Sequence, residues 1–199
     1  MENICFSILS GGKNSRIGTN KAFLNISGTT IIERIITIAK YFPQNMIITN
    51  DPEAYKTFDI QIFTDIYPNR GPISGIHSSL KHTDLDNVFV ISCDMPFITL
   101  ETVKYIISHH HNADITLPII NDKTYFVCAV YSKNIFKKLD SYLSNGAKLP
   151  EEKNRYFALY QMEKMFKINK IIIDKSIIDK NEFININTIE DWEKVKSLC

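Results

Sequence analysis

The chain has 199 residues, 44% of them hydrophobic and 11% aromatic, with only 7 Gly and 7 Pro, a composition that excludes extended disorder and fits one ordinary domain or one domain with a small appendage. Lys and Arg number 23 against 22 Asp and Glu, a formal charge of +1, so no global field is available to hold a nucleic-acid backbone or an anionic membrane, and any anion site must be local. The 4 cysteines, Cys5, Cys93, Cys128 and Cys199, are widely spaced without a C-x-x-C pair, which argues against a zinc cage or dithiol motif and for reduced thiols.

The opening residues MENICFSIL carry an acid and lack the basic start of a signal peptide. No run approaches the roughly 18 to 20 apolar residues of a membrane span, so the expected location is the cytoplasm. Residues 4–9 read as a buried strand, and 30–42 place Ile31, Ile32, Ile35, Ile38 and Ala39 on one helical face before Pro43. Residues 46–49, 60–63 and 88–92 read as further strands, separated by helix candidates at 52–56 and 73–81. Strands that alternate with helices, several of them unbroken apolar runs, predict a largely parallel sheet covered on both faces.

A helix is expected at 99–110, followed by strands at 114–119 and 125–131 joined through Asn121, Asp122 and Lys123, a connection that resembles a hairpin more than a crossover. The pattern therefore becomes mixed. Helices are expected at 134–143 and 151–164 around a loop at 145–150, and late strands at 168–173 and 183–186. Thr188 reads as the N-cap of a final helix, with Asp191 in the capping-box position. The triplet His109, His110 and His111 suggests metal at first sight, but at a helix end it reads better as capping or solvated side chains. One domain spans 1–199.

The segment directly after the first strand carries the sharpest chemistry. Gly11 and Gly12 have no side chains to obstruct a ligand, so their N–H groups can approach phosphates closely, and Lys13, Arg16 and Lys21 supply three cations. This is neither the Walker pattern G-x-x-x-x-G-K-[ST] nor G-x-G-x-x-G, because Gly11 and Gly12 are adjacent and the next glycine is Gly18. A solvated surface loop is the plainer alternative. Asp94 ends the apolar run 88–92 and precedes Met95-Pro96, which puts a carboxylate beyond the carboxyl end of a strand, where open α/β sheets bind ligands. Mg²⁺ takes one or two carboxylates with phosphate and water oxygens; the competing reading of Asp94 is a turn cap. Asp65 occupies a similar strand end before 71–76.

The blocks LSGGKNSRIGTNKAFL (9–24), GPISGI (71–76), CDMPF (93–97) and FININTIED (183–191), taken together and in this order, resemble the molybdenum cofactor guanylyltransferase (MobA) family over essentially the whole chain. The first and third blocks also belong to a wider superfamily of sugar-phosphate and pterin nucleotidyltransferases, and the last favours the molybdopterin branch. The resemblance implies a Rossmann-like three-layer α/β/α nucleotidyltransferase fold with a mostly parallel, mixed sheet. It implies transfer of GMP from GTP to the phosphate of molybdopterin, with Mg²⁺ as cofactor and with transient contacts to cofactor insertion proteins or apoenzymes. Carried over by position, Leu9, Ser10 and Gly11 meet the guanine and ribose side, Gly12, Lys13 and Lys21 the phosphates, and Asn50, Asp65 and Gly75 the nucleotide. Lys21, Arg16 and Asp94 are the catalytic set, Asp94 is the Mg²⁺ ligand, and Asn185 and Asn187 face the acceptor or the metal.

Three departures bear on this. Ser10 stands where the family usually has Ala, Tyr125-Phe126 where it commonly has His-Pro, and residues 146–155 where an arginine-rich segment is expected; the last two lie in the acceptor-binding half that the resemblance implies at about 99–199, the nucleotide-binding half being about 1–98. An acceptor phosphate is largely dianionic near neutral pH, so positioning and charge neutralisation carry the chemistry and no general base is needed. The alternatives are a related nucleotidyltransferase using CTP or another phosphorylated acceptor, and a non-catalytic nucleotide-binding protein.

Overall fold

The computed structural model describes residues 1–11, 20–146, 157–174 and 178–198. Strand β1 (Ile4–Leu9) is buried along its whole length. Its alternate side chains serve two cores: Ile4, Phe6 and Ile8 on one face of the sheet, Cys5 and Leu9 on the other, as period-2 geometry requires of a strand covered on both sides. A short hairpin follows, β2 (Asn25–Ile26) and β3 (Thr29–Thr30), turned by Ser27 and Gly28 at φ of 51° and 88°. Helix α1 (Ile31–Ala39) starts at a full capping box between Thr30 and Glu33. It ends short of the predicted residue 42 and buries six side chains, each fully buried isoleucine contributing roughly 1.5 to 3 kcal/mol.

Strand β4 (Gln44–Ile48), a 3-10 turn at Pro52–Tyr55 where a helix was expected, and β5 (Gln61–Phe63) come next, then α2 (Pro72–His82) and β6 (Asn87–Ser92). Helix α3 (Leu100–Ser108) is capped by Thr99. Strands β7 (Ile115–Ile120) and β8 (Lys123–Thr124) form a hairpin turned at Asn121 and Asp122, with φ of 49° and 61°; Lys123, expected in the turn, lies in the short strand, and the strand expected at 125–131 begins at Cys128. The chain then enters β9 (Cys128–Ser132), α4 (Phe136–Gly146), α5 (Met162–Met165), β10 (Ile168–Ile172) and α6 (Ile189–Ser197). Helix α6 begins at the anticipated box between Thr188 and Asp191.

The sheet runs β10-β7-β9-β6-β1-β4-β5, with β8 alongside β7. Its neighbours are parallel except where β9 meets β6 and β7 and where β8 meets β7, which makes it the mostly parallel, mixed sheet that was expected. Residues of α1, α3 and α6 pack on one face, and those of α2, α4 and α5 on the other. From β1 the chain moves toward the β5 edge, and from β6 toward the β10 edge. A crevice therefore opens beyond the carboxyl ends of β1 and β6.

Residues 183–186, expected as a strand, are not one. A 3-10 turn at Lys180–Phe183 leads into an extended stretch that does not join the ladder; Ile186 N–H instead donates to the Asp94 carbonyl at 3.0 Å. The edge place beside β7 is taken by β10, so this segment crosses the ends of the strands. No helix among the described residues is long and apolar enough to cross a membrane. His110 is held between Thr116 (2.9 Å) and Asn87 (3.1 Å), in keeping with a structural role for the histidine triplet.

A partly buried polar cluster joins α2 to α4. His77 Nε2 lies 2.9 Å from Asp140 Oδ1, the Tyr67 hydroxyl donates to the same oxygen at 3.0 Å, and the imidazole stacks on Phe136. Burial pushes the His77 pKa below its usual 6.5, with Asp140 opposing and Lys81 and His82 adding to the fall. The unfolded chain then takes up the proton first, so the contribution of this group to stability is present above about pH 6.5 and is lost as pH falls toward and through the folded pKa. Urea midpoints measured at pH 7.5 and 5.5 should drop on acidification, and by less in His77→Gln; an unchanged drop would remove His77 as a source.

Candidate active site

Three adjacent parallel strand ends build the site. Ser10 N–H donates to the Ile48 carbonyl at 2.8 Å and Cys93 N–H to the Leu9 carbonyl at 3.0 Å, so the ladder holds the segments after β4, β1 and β6 side by side. They enclose a cleft of about 220 Å³ lined by Ser10, Gly11, Lys21, Asn50, Cys93 and Asp94, together with Asn20, Thr49, Asp51 and Ser92. A larger, more open groove at residues such as Gln44 and Gln61 lies at the start of β4 and β5, the opposite end of the sheet from the carboxyl-end crevice.

Among the predicted residues, Ser10, Gly11, Lys21, Asn50 and Asp94 meet in this cleft. Gly12, Lys13 and Arg16 lie outside the described residues. A Cβ on Gly11 would stand 3.8 Å from Asn50 Nδ2, so the ends of β1 and β4 face one another across the opening. Asp65 lies behind Asn50, whose Nδ2 donates to its Oδ2 at 3.1 Å. Burial raises the Asp65 pKa against the opposing Asn50 and Ser74 side chains. Leu9 is buried, and Gly75, in the first turns of α2, lies beneath it: a Cβ there would come within 2.9 Å of Leu9 Cδ2. The Gly75 position thus lets α2 pack close to β1.

Asp94 is half-buried, and its Oδ1 is covered and without a hydrogen-bond partner among the described residues. Burial raises its pKa, against the nearby Ser92 hydroxyl and the positive charges of Lys21 and Lys123. Cys93 beside it is pushed up to about 12, first by burial and then by the Asp94 charge, so it is a neutral thiol and no nucleophile at neutral pH. Lys21 opens a 3-10 turn, Lys21–Phe23, whose N-cap Asn20 accepts from Ala22 N–H at 3.1 Å. Asn20 Nδ2 donates to the buried Tyr55 hydroxyl at 2.9 Å, which also bonds the Ser10 hydroxyl. This Ser10-Tyr55-Asn20 network fixes the base of the Lys21 turn.

Asn185 and Asn187 part company. Asn185 is half-buried, and its buried Oδ1 lacks a hydrogen-bond partner among the described residues, while the next residue bonds Asp94. Asn187 is exposed, and its backbone N–H donates to Asp191 Oδ2 at 2.8 Å. Sequence reading missed Tyr55, Asn20 and Lys123. Asn20 had a signal, a capping residue directly before the lysine; the roles of the other two depend on contacts far along the chain.

Comparison with known proteins agrees with this geometry. Residues 6–156 match the family described as the MobA-like NTP transferase domain. A probable molybdenum cofactor guanylyltransferase of Clostridium perfringens is 38% identical over 188 residues, covering 94% of this chain and 93% of that protein. Molybdopterin-guanine dinucleotide biosynthesis protein A of Archaeoglobus fulgidus superposes with a TM-score of 0.81 at 20% identity over 98% of both chains, and a protein of Aquifex aeolicus with 0.76 at 26% identity over 94% of both. The chain therefore belongs to the MobA-like NTP transferase family, among the molybdenum cofactor guanylyltransferases.

Proposed function

We propose that this protein transfers GMP from GTP to the phosphate of a molybdopterin-type cofactor, with Mg²⁺ held at Asp94. The observation that carries the reading is a buried carboxylate oxygen without a partner, set beside Lys21 at the crevice where the sheet reverses direction. The name of the relative at 38% identity supports guanine as the base and molybdenum cofactor as the acceptor. Asp94 Oδ1 and Asn185 Oδ1, both buried and unpartnered, are hard oxygen donors that fit magnesium. When bound there, the ion would neutralise charge on the nucleotide phosphates.

The protein's own part is to bind and align. An oxygen of the acceptor phosphate forms a bond to the α-phosphorus as the bond from that phosphorus to the β-bridging oxygen breaks, and pyrophosphate carries off the electron pair. Lys21 stands on the cleft side of β1 to bind phosphate, Ser10, Gly11 and Asn50 form the nucleotide wall, and Asp65 holds the Asn50 amide in place. The acceptor arrives as an anion, so no side chain must take a proton. That agrees with the neutral Cys93.

Pyrophosphate release with GTP, Mg²⁺ and molybdopterin tests the reading, with CTP, UTP and ATP as competitors in a thermal-shift ranking. Turnover only with another nucleotide would overturn the base, and nucleotide binding without turnover would overturn the enzyme. Asn185→Ala should lower turnover about tenfold or more while changing GTP affinity little. Equal losses in both, accompanied by a lower melting temperature, would assign Asn185 to the fold.

A further inference from the structure

Asp94 has two flanks, and only one is accounted for by the nucleotide. On the β1 side stand Lys21 and the cleft. On the other side β6 pairs with β9, and Ser92 N–H donates to the Val127 carbonyl at 2.9 Å. The stretch just before β9 is thereby drawn alongside the strand end that carries Asp94. Tyr125 N–H donates to the Pro118 carbonyl at 3.1 Å, and its buried ring meets the Phe183 ring edge-on at 5.1 Å. Phe183 leads directly into the segment whose Ile186 bonds the Asp94 carbonyl.

Lys123 is mounted on this wall. It follows the tight turn at Asn121 and Asp122, and its ammonium lies 4.7 Å from the Tyr125 ring centroid. Among the described residues it forms no ion pair. A cation resting on an aromatic face keeps a preferred position without being neutralised by an anion. Strand β7 runs parallel to β6, each being antiparallel to β9, so the turn that leads to Lys123 stands at the same end of the sheet as Asp94. Each half of the chain thus brings a cation to the end of the sheet that carries Asp94, Lys21 on the β1 side and Lys123 on the β7 side.

In-line transfer needs such a division. The leaving pyrophosphate and the incoming phosphate lie on opposite sides of the α-phosphorus, and both are anionic, so one cation cannot serve both. We propose that Lys123 binds the phosphate monoester of the acceptor, and that Tyr125 holds the Lys123 ammonium on the acceptor flank of Asp94. This assignment rests on the guanylyl-transfer reading above and adds the residue that receives the second substrate. It also gives a role to the Tyr125 position, one of the places where the chain departs from the family pattern.

The test is Lys123→Ala beside Lys123→Arg, both exposed substitutions, with GTP affinity, KM for molybdopterin and kcat measured anaerobically, and with equilibrium binding of molybdopterin measured without GTP. Lys123→Ala should raise the acceptor KM and weaken acceptor binding about tenfold or more, leave GTP affinity within about twofold, and be largely rescued by arginine. An active wild type with unchanged acceptor KM and binding in Lys123→Ala would overturn the Lys123 assignment alone. Parallel loss of GTP affinity would also overturn it, by showing a general effect on the cleft. A wild type that neither binds nor guanylates molybdopterin would overturn the transfer reading, and this assignment with it.

Discussion

Asp94→Asn is expected to reduce guanylyl transfer at least about a hundredfold while leaving the melting temperature unchanged or raised. The two halves of that expectation come from the same fact. Burial penalises the charged form of Asp94, so an amide of the same shape removes a desolvation cost from the folded state. Because the folded pKa is raised, the carboxyl contributes most to stability at acidic pH, and the contribution is lost as pH rises through the folded pKa. The variant should therefore gain on the wild type toward neutral pH. Calorimetric melting at pH 5 and pH 7.5, with single-turnover transfer on the same samples, checks this. Retained turnover, or a lower melting temperature at both pH values, would make Asp94 a turn residue placed for the fold.

Lys21→Ala acts on the opposite partner of the pair. Removing a cation from a partly enclosed phosphate site costs about 1.5 to 3 kcal/mol, roughly a tenfold to hundredfold weaker Kd for GTP. The fold should survive, because the turn is held by the Asn20 cap and by the bond from Asn20 to Tyr55 rather than by the ammonium. Titration of GTP by calorimetry reads the effect directly. Affinity close to that of the wild type would show that Lys21 does not meet the phosphates.

Elements governed by local sequence were legible in advance. The buried first strand, the Thr188 and Asp191 box and the hairpin at Asn121 and Asp122 each depend on neighbours within a few residues. The placement of Asp94 was legible as well, because an apolar strand ending in a carboxylate fixes which end of the sheet that carboxylate occupies. Residues 183–186 misled because alternation shows that a stretch is extended and half-buried, not whether a partner strand is free to receive it; β10 holds that edge. Tyr55 reads as a core aromatic until its hydroxyl is seen between Ser10 and Asn20. Asp65 reads as a nucleotide contact, and its bond to the Asn50 amide becomes visible only in the fold. In each case the missing information is a tertiary contact between distant parts of the chain.

The bond from Ile186 N–H to the Asp94 carbonyl also sets an order of events during synthesis. The strands that bear Ser10, Asn50 and Asp94 leave the ribosome early, and the segment that lies across Asp94 leaves late. With the function proposed above, the residues of the nucleotide wall are synthesised before Asn185 is. Once made, that late segment is anchored by Phe183, Ile186 and Val195 in the core, so the last part of the chain to appear is also the part that closes the site.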